Sequence, residues 1–225
     1  MIRVTDGSTY AEWSPVELID HMGGDDRTAD AARVSMLRKA SEFSEEKNNN
    51  LIRYLAHHEH WTPFAHSQVT MLFRAPFAIS EQFKKHQVGM VWNEVSRRYV
   101  DTQPWVYVPE AWRSRPDNVK QGSDPTSDLE IPDQWWLDSI KGPLTDYQRM
   151  LSLGIAPEQA RFILPTSTMT EWYWTGSLYA WFNMYQLRVD SHAQQECRPY
   201  ALAVREICQR LFPVSWEQLT SSRKT

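Results

Sequence analysis

The sequence predicts an α+β fold in which helices pack around a small, mostly antiparallel sheet, as a single domain spanning residues 1–225. Helical segments outnumber strand segments, and the strands do not alternate regularly with helices as they do in a doubly wound parallel sheet. A chain of 225 residues is long enough for one domain with a sizeable core.

Composition narrows the function. The hydrophobic and charged contents, 41% and 23%, are typical of globular proteins, and a net charge of −4 disfavours general nucleic-acid binding. The 11 Trp predict stacking surfaces or large subunit interfaces. With no bilayer-length apolar run and no signal peptide, we expect no membrane partner. Cys197 and Cys208 lie too far apart in one predicted helix for a disulfide, so we expect a reduced, cytoplasmic protein.

Local signals place the elements of the first half in order. They are strands over 1–5 and 16–20, a turn over 21–24, a helix over 29–38 capped by Thr28, and a helix with Leu51, Ile52 and Leu55 that ends near His58. Four histidines follow closely, at 57, 58, 60 and 66. Their spacing matches no zinc pattern and no cysteine lies nearby, so we predict structural or ligand-contacting roles and no metal site.

The remaining elements are predicted by alternation, proline positions and helical spacing. They are a strand over 67–74, a helix from about Phe77, a strand over 105–108, a loop or lid over 109–132, helices over 134–153 and from Pro157, and a mostly helical aromatic segment over 172–187. The last helix is predicted to start at Ser191, where Gln194 completes a capping-box spacing, and to be kinked at Pro199.

The polar stretch 82–99, QFKKHQVGMVWNEVSRRY, organises the chain. On a continuing helix, Gln82, Lys85, His86 and Gly89 share one face. If the second half is extended, Glu94, Ser96 and Arg98 point the same way. Arginine and serine suit a phosphate, and glutamate suits a ribose or a ring N–H, so the stretch predicts an anion or nucleotide site. The alternative is a solvated helix end followed by a charged edge strand.

Three separated stretches carry a further signal: HWTPFAH at 60–66, the segment from Lys85-His86-Gln87 to Ser96-Arg97-Arg98-Tyr99, and LRVDSHAQ at 187–194. Together they resemble the flavin-dependent thymidylate synthases. The stretches 31–35 and 160–165 also fit in order, so the resemblance covers nearly the whole chain. The family signature is Arg-His-Arg followed, after about seven residues, by Ser. This chain has Lys-His-Gln with eight intervening residues, and lysine does not reproduce a guanidinium fork.

The resemblance implies a fold of the thymidylate-synthase-complementing type and synthesis of dTMP from dUMP. Methylenetetrahydrofolate is then the carbon donor, FAD the hydride carrier and NADPH the reductant. The residues implied around dUMP are Gln82, Lys85, Glu94, Ser96, Arg97, Arg98, Arg161 and Arg188. The residues implied around FAD are Thr62, Lys85, His86, Gln87, Glu94, Ser177, Tyr179 and Asn183, with His60 and His192 near the flavin or folate.

The chemistry of these side chains fits those roles. Arg98 and Arg161 suit a phosphate clamp, whereas Arg188 is the implied catalytic residue because its guanidinium can stabilise charge developing on the pyrimidine. Taken singly, Arg161 and Arg188 are better explained as ordinary helix charges, but jointly, in family order, the functional interpretation is favoured. Cys197 is predicted to be a buried cysteine and not a nucleophile. The alternatives are a pyrimidine-nucleotide hydroxymethylase and a non-catalytic nucleotide- or flavin-binding protein. The resemblance also implies a homotetramer with intersubunit active sites.

Overall fold

The computed structural model describes residues 1–117, 122–124 and 129–222. Its strands are β1 (Ile2–Thr5), β2 (Tyr10–Trp13), β3 (Val16–Met22), β4 (Gln68–Pro76), β5 (Met90–Glu94), β6 (Val106–Tyr107) and β7 (Met169–Ser177). Its α-helices are α1 (Asp25–Arg33), α2 (Glu45–His57), α3 (Phe77–Phe83), α4 (Asp133–Ser152), α5 (Pro157–Ala160), α6 (Leu178–Val189), α7 (Arg198–Leu211) and α8 (Pro213–Ser222).

The predicted α+β class is confirmed, but the described strands form two sheets where one was expected. A three-stranded sheet has the order β2-β1-β6, and a four-stranded sheet has the order β3-β4-β7-β5. Every named strand pair is antiparallel. The β2 strand was not predicted. In the larger sheet β5 lies at the edge, as the alternative interpretation of the polar stretch proposed.

The larger sheet carries the main core. β4 and β7 pair in register from Gln68↔Ser177 to Pro76↔Met169. Along β4 the buried residues alternate as its sequence predicts, and Phe73 stacks on Trp172 and on Trp181 with ring centroids 5.3 and 5.8 Å apart. Such contacts stabilise the fold through apolar burial and ring geometry.

The tryptophan side chains contribute to the core more than the sequence indicated. Four of the 11 Trp side chains are fully buried, and these are Trp172, Trp174, Trp181 and Trp216. The predicted stacking surface remains available at Trp61, which is 51% exposed.

The aromatic segment 172–187 was predicted to be mostly helical, and its first part is instead strand β7. Trp172 and Trp174 point into the core, whereas Tyr173 between them is exposed, an alternation typical of a strand. The change to helix occurs at Ser177, whose hydroxyl accepts a hydrogen bond from the N–H of Ala180 at 3.2 Å and caps α6.

Two further helix starts differ from prediction. α7 begins at Arg198 with Pro199 in its first turn, so the expected start at Ser191 and the kink are both wrong. Proline is well tolerated there because first-turn N–H groups lack helical partners. Thr28 is likewise not an N-cap: α1 begins at Asp25, and the buried Thr28 hydroxyl accepts from Ser215 at 3.3 Å.

The predicted loop 109–132 is described only in part, because 118–121 and 125–128 lie outside the described residues. Its described ends meet in an isolated β-bridge between Trp112 and Leu129, and its role as a lid stays a prediction. Both cysteines are free and buried, but Cys197 precedes the helix that holds Cys208. Across the described ranges, no helix has the length and apolar character needed to span a membrane.

Candidate active site

The first half of the polar stretch does not continue as a helix: after α3 the chain forms a turn over 84–89 and then enters β5. α3 ends at Phe83, and the N–H of His86 then bonds the carbonyl of Phe83 at 2.9 Å. The predicted shared helical face of Gln82, Lys85, His86 and Gly89 is therefore wrong. The chain must reverse to enter β5, and Gly89 supplies the left-handed conformation with φ +73.

The turn 84–89 packs against the start of α6. A Cβ atom added to Gly89 would lie 3.2 Å from the Cβ of Ala180, and the Gly89 carbonyl accepts from the N–H of Ser177 at 3.2 Å. Lys85 and Gln87, the two signature departures, are exposed, whereas His86 between them is half-buried. This orientation directs His86 toward the other end of α6.

Arg188, near the end of α6, is held by two hydrogen bonds to this region. Its Nε donates to Nε2 of His86 at 2.9 Å, and its Nη2 donates to the backbone carbonyl of Gln82 at 2.8 Å. Two bonds from one planar guanidinium fix both its position and the direction of its plane. The structure thus brings together three residues that the sequence implied as site residues.

His86 is neutral in this arrangement. Burial, followed by the positive charge of Arg188, lowers the pKa of His86 to about 4. Because Nε2 accepts the hydrogen bond from Arg188, the single ring proton of neutral His86 lies on Nδ1.

The side chain of Gln82 extends the network. Its Nε2 donates to Oε1 of Gln194, and its Oε1 accepts a hydrogen bond from the thiol of Cys197 at 3.5 Å. Burial raises the pKa of Cys197 to about 11, although the charge of Arg188 partly opposes this. A protonated, hydrogen-bonded thiol fits the predicted structural role and not that of a nucleophile.

Gln82, Arg188 and Gln194 of this network line a cavity of about 810 Å³, within the size range of small-molecule sites. Its wall includes the loop between α6 and α7. Because no helix begins at Ser191, the residues of this loop face the cavity. Implied site residues in the lining are Gln82, Arg188 and His192; further polar members include Arg113, Asp190, Gln194, Glu196 and Arg198. His192 is exposed, and its Nδ1 lies 2.9 Å from Oδ1 of Asp190.

A second group of implied residues lies at the end of β5. Glu94 accepts a hydrogen bond from Thr170 at 2.9 Å and forms an ion pair with Lys84 at 2.9 Å. The strand ends there, so Glu94, Ser96 and Arg98 do not alternate along one strand as the extended interpretation required. Instead, the backbone N–H of Arg98 donates to the Ser96 hydroxyl at 3.3 Å. The neighbouring Arg97 donates to the carbonyl of Thr102 at 2.6 Å.

A third group surrounds the start of α6. Trp61 and Tyr179 lie with ring centroids 5.7 Å apart, and His60 and Thr62 flank Trp61 on the exposed surface. Ser177 belongs here by position, but its hydroxyl caps the helix. Asn183 is half-buried one turn beyond Tyr179.

The three groups are spread along the protomer. Met90 pairs with Gly176 and Glu94 with Trp172, so the two ends of β5 are separated by about 13 Å at roughly 3.3 Å per residue. Arg161 lies in a short turn after α5, where its Nε donates to the carbonyl of Glu158 at 3.4 Å.

Sequence reasoning missed three polar participants. Lys84, and not its neighbour Lys85, forms the ion pair with Glu94. The periodicity of the sequence alone does not indicate which of the two lysines would do so. Gln194 lay inside a quoted motif, so its bond to Gln82 could have been anticipated. Arg113 lies in an aperiodic loop with no sequence signal. In the part of the chain that the structure describes, no group of three or more His, Cys, Asp or Glu is arranged to hold a metal ion.

Comparisons with known proteins agree on one family. Residues 17–214 match the family described as thymidylate synthase complementing protein. The chain is 36% identical over 206 residues to a flavin-dependent thymidylate synthase of Kosmotoga olearia, which covers 90% of this chain and 88% of the relative. Its identity to the Thermosipho africanus enzyme of the same name is 35%, over 90% and 89% of the two chains.

A similar solved structure is that of a UMP/dUMP methylase, PolB, from Streptomyces cacaoi bound with 5-Br dUMP. Its TM-score is 0.80, with 30% identity over 92% of this chain and 94% of that chain. The same enzyme bound with 5-Br UMP gives a TM-score of 0.76 at 30% identity, over 92% of this chain and 93% of that one.

Proposed function

The chain belongs to the flavin-dependent thymidylate synthase family, and from this premise we propose that it is an enzyme that methylates dUMP reductively to dTMP. Methylenetetrahydrofolate would provide the carbon, and FAD and NADPH the reducing equivalents. The observation that carries the proposal is the fixed Arg188 guanidinium at the wall of a cavity of about 810 Å³.

The donor set of the cavity fits a pyrimidine nucleotide. Gln82 and Gln194 offer carboxamides, each of which has N–H donors and an acceptor oxygen. These groups can pair with the uracil edge, where the acceptor O4, the donor N3–H and the acceptor O2 alternate. Arg188 and Arg198 supply guanidinium donors for carbonyl or phosphate oxygens. By family position, Arg98, Ser96 and Arg161 add the phosphate clamp, and Lys85, Glu94 and Arg97 complete the nucleotide site.

The surface at the start of α6 fits a planar flavin. Trp61 and Tyr179 offer aromatic faces, and the adjoining turn places exposed Lys85 and Gln87 where they can meet polar or phosphate atoms. FAD held there would supply hydride transfer. His60, Thr62, His86, Asn183 and His192 are the remaining residues proposed to contact it, and Ser177 would act by capping α6.

Arg188 is proposed to act on the pyrimidine itself. Its two protein contacts hold the guanidinium in place before substrate arrives, so no reorganisation is needed when negative charge develops at N3 and the adjacent carbonyl oxygen. Neutral His86 suits this task because a protonated imidazole could not accept from Arg188. The arginine remains charged throughout and does not act as a base.

We further propose that the working enzyme is a cytoplasmic homotetramer with sites shared between subunits. The spread of the implied residues along β5, whose two ends are about 13 Å apart at roughly 3.3 Å per residue, supports this. Two free, buried cysteines fit a reducing compartment.

A visible absorbance experiment tests the proposal. Purified protein is supplied with FAD, and NADPH is then added anaerobically with and without dUMP. We expect flavin bleaching that depends on dUMP, followed by dTMP formation when methylenetetrahydrofolate is supplied. Failure to hold flavin would refute the proposed cofactor, and nucleotide binding without NADPH consumption would favour the non-catalytic alternative.

The nucleotide and the product are tested in the same assay. UMP should be run beside dUMP, because the similar structure is that of a UMP/dUMP methylase. Mass spectrometry separates a methylated product from a hydroxymethylated one, which differ by one oxygen atom. A hydroxymethylated product would refute the proposed reaction and identify the protein as a pyrimidine-nucleotide hydroxymethylase.

A further inference from the structure

Arg113 lies in the loop that follows β6 and forms a largely buried ion pair with Glu196. Its Nη2 bonds Oε1 of Glu196, and its Nε donates to the hydroxyl of Ser123 at 2.6 Å. The two charged side chains are only 16% and 18% exposed. The attraction within a pair shielded this far from water is screened much less than that within a surface pair. Removing either side chain would leave the other as a buried, unpaired charge, which is strongly destabilising.

Glu196 is held as a carboxylate in this environment. Burial alone would raise the pKa of Glu196, but the hydrogen bond and the positive charge of Arg113 lower it. Gln194 lies beside the ion pair because it directly precedes the short 3-10 turn that contains Glu196. The same residue also accepts the N–H of Cys197 at 2.9 Å, which closes the short 3-10 turn that contains Glu196.

From Gln194 the network continues directly into the candidate active site. The Gln194 side chain accepts from the side chain of Gln82, and the Gln82 carbonyl accepts from Arg188 at 2.8 Å. Arg113 is thus linked to Arg188 through the ion pair with Glu196, the turn that joins Glu196 to Gln194, and the contacts of Gln82. The segment 190–197, which carries Gln194, lies outside the α-helices and strands, and the side-chain contacts of Glu196 with Arg113 and of Gln194 with Gln82 tie it to the rest of the fold.

We propose that Arg113 is a positioning residue, which acts through Glu196 to hold Gln194 and Gln82 in the geometry that receives the pyrimidine nucleotide. It does so without taking part in the chemistry. The identity of the ligand rests on the proposed function, whereas the ordering of the wall does not.

The test uses the full chain with Arg113→Met, Arg113→Lys and Glu196→Gln. Arg115→Met, an exposed residue of the same loop, is the matched control. One measurement is the rate at which a thiol reagent modifies Cys197 without nucleotide, in a Cys208→Ala background. The other is dUMP affinity by calorimetry, together with kcat and KM.

Arg113→Met and Glu196→Gln should each raise the modification rate and the dUMP dissociation constant by about tenfold, because an unpaired charge loosens the wall. Arg113→Lys keeps the charge but not the fork and should recover much of the loss. At saturating dUMP, kcat should change by less than about threefold, and Arg115→Met should match the parent protein. An effect on KM that exceeds that on kcat, with rescue by lysine, distinguishes positioning from general destabilisation.

The proposal is overturned if Arg113→Met leaves both the thiol reactivity and the dUMP affinity within about twofold of the parent, or if lysine gives no rescue. If Arg113→Met does not fold, Glu196→Gln decides by the same criteria. If the parent protein binds no dUMP, the proposed function fails, and thiol reactivity alone then decides whether Arg113 orders the wall.

Discussion

Replacing Arg188 with lysine keeps the positive charge but removes the fork that orients it. In the structure the guanidinium donates to His86 at 2.9 Å and to the Gln82 carbonyl at 2.8 Å. A lysine ammonium has no planar fork and is a shorter group, so it cannot keep both contacts and still present a donor to the pyrimidine.

The expected magnitude follows from those two bonds. A hydrogen bond involving a charged group contributes about 1.5–3 kcal/mol, and at about 1.4 kcal/mol per factor of ten, loss of one corresponds to roughly 10- to 150-fold. Loss of alignment with the reacting ring adds to this. We therefore expect Arg188→Lys to lower kcat by about 10²–10³-fold.

Steady-state kinetics and single-turnover bleaching of the flavin would measure this effect. Arg210→Lys, on the exposed side of α7, makes the same chemical change away from the cavity and is the control. The reasoning is refuted if Arg188→Lys retains kcat within about threefold of the parent while dUMP affinity and flavin content are unchanged, since orientation of the guanidinium would then be irrelevant.

Four further predictions follow from individual contacts. Cys197→Ala should retain turnover, because burial raises the pKa of its thiol to about 11; complete loss with the fold intact would contradict this. Burial and an adjacent arginine lower the pKa of His86 in the folded protein to about 4, so the unfolded chain binds more protons between pH 4.5 and 6.5 and Tm should rise with pH there. His86→Gln should flatten this rise of Tm, and an equally steep slope in the variant would contradict the reasoning. Lys84→Met removes the 2.9 Å ion pair to Glu94 and should weaken dUMP binding about fivefold in low salt by calorimetry, whereas unchanged affinity would exclude this role. Ser177→Ala removes the cap of α6 and should cost about 1 kcal/mol in urea unfolding; no loss would show that the cap is dispensable.

The local pattern of the chain was sufficient where one element determines its own geometry. The alternation along β4, the proline before α3 and the spacing of α4 all predicted the elements observed. Prediction failed where contacts with a distant segment of the chain determine whether a segment forms a helix or a strand. The aromatic residues of β7 are compatible with helix or strand, and pairing with β4 and β5 selects the strand.

The same division holds for the candidate site. By itself the sequence determined the family and the α+β class and implied a role for Arg188, because residue types in order along a chain carry that information. Only the tertiary structure decided that His86 would accept from Arg188 across 102 positions, that Lys84 would pair with Glu94, and that Arg113 would reach Glu196 across 83. Such contacts depend on how a turn, a strand end and a loop are placed by the packed core, and local propensity does not encode those distances.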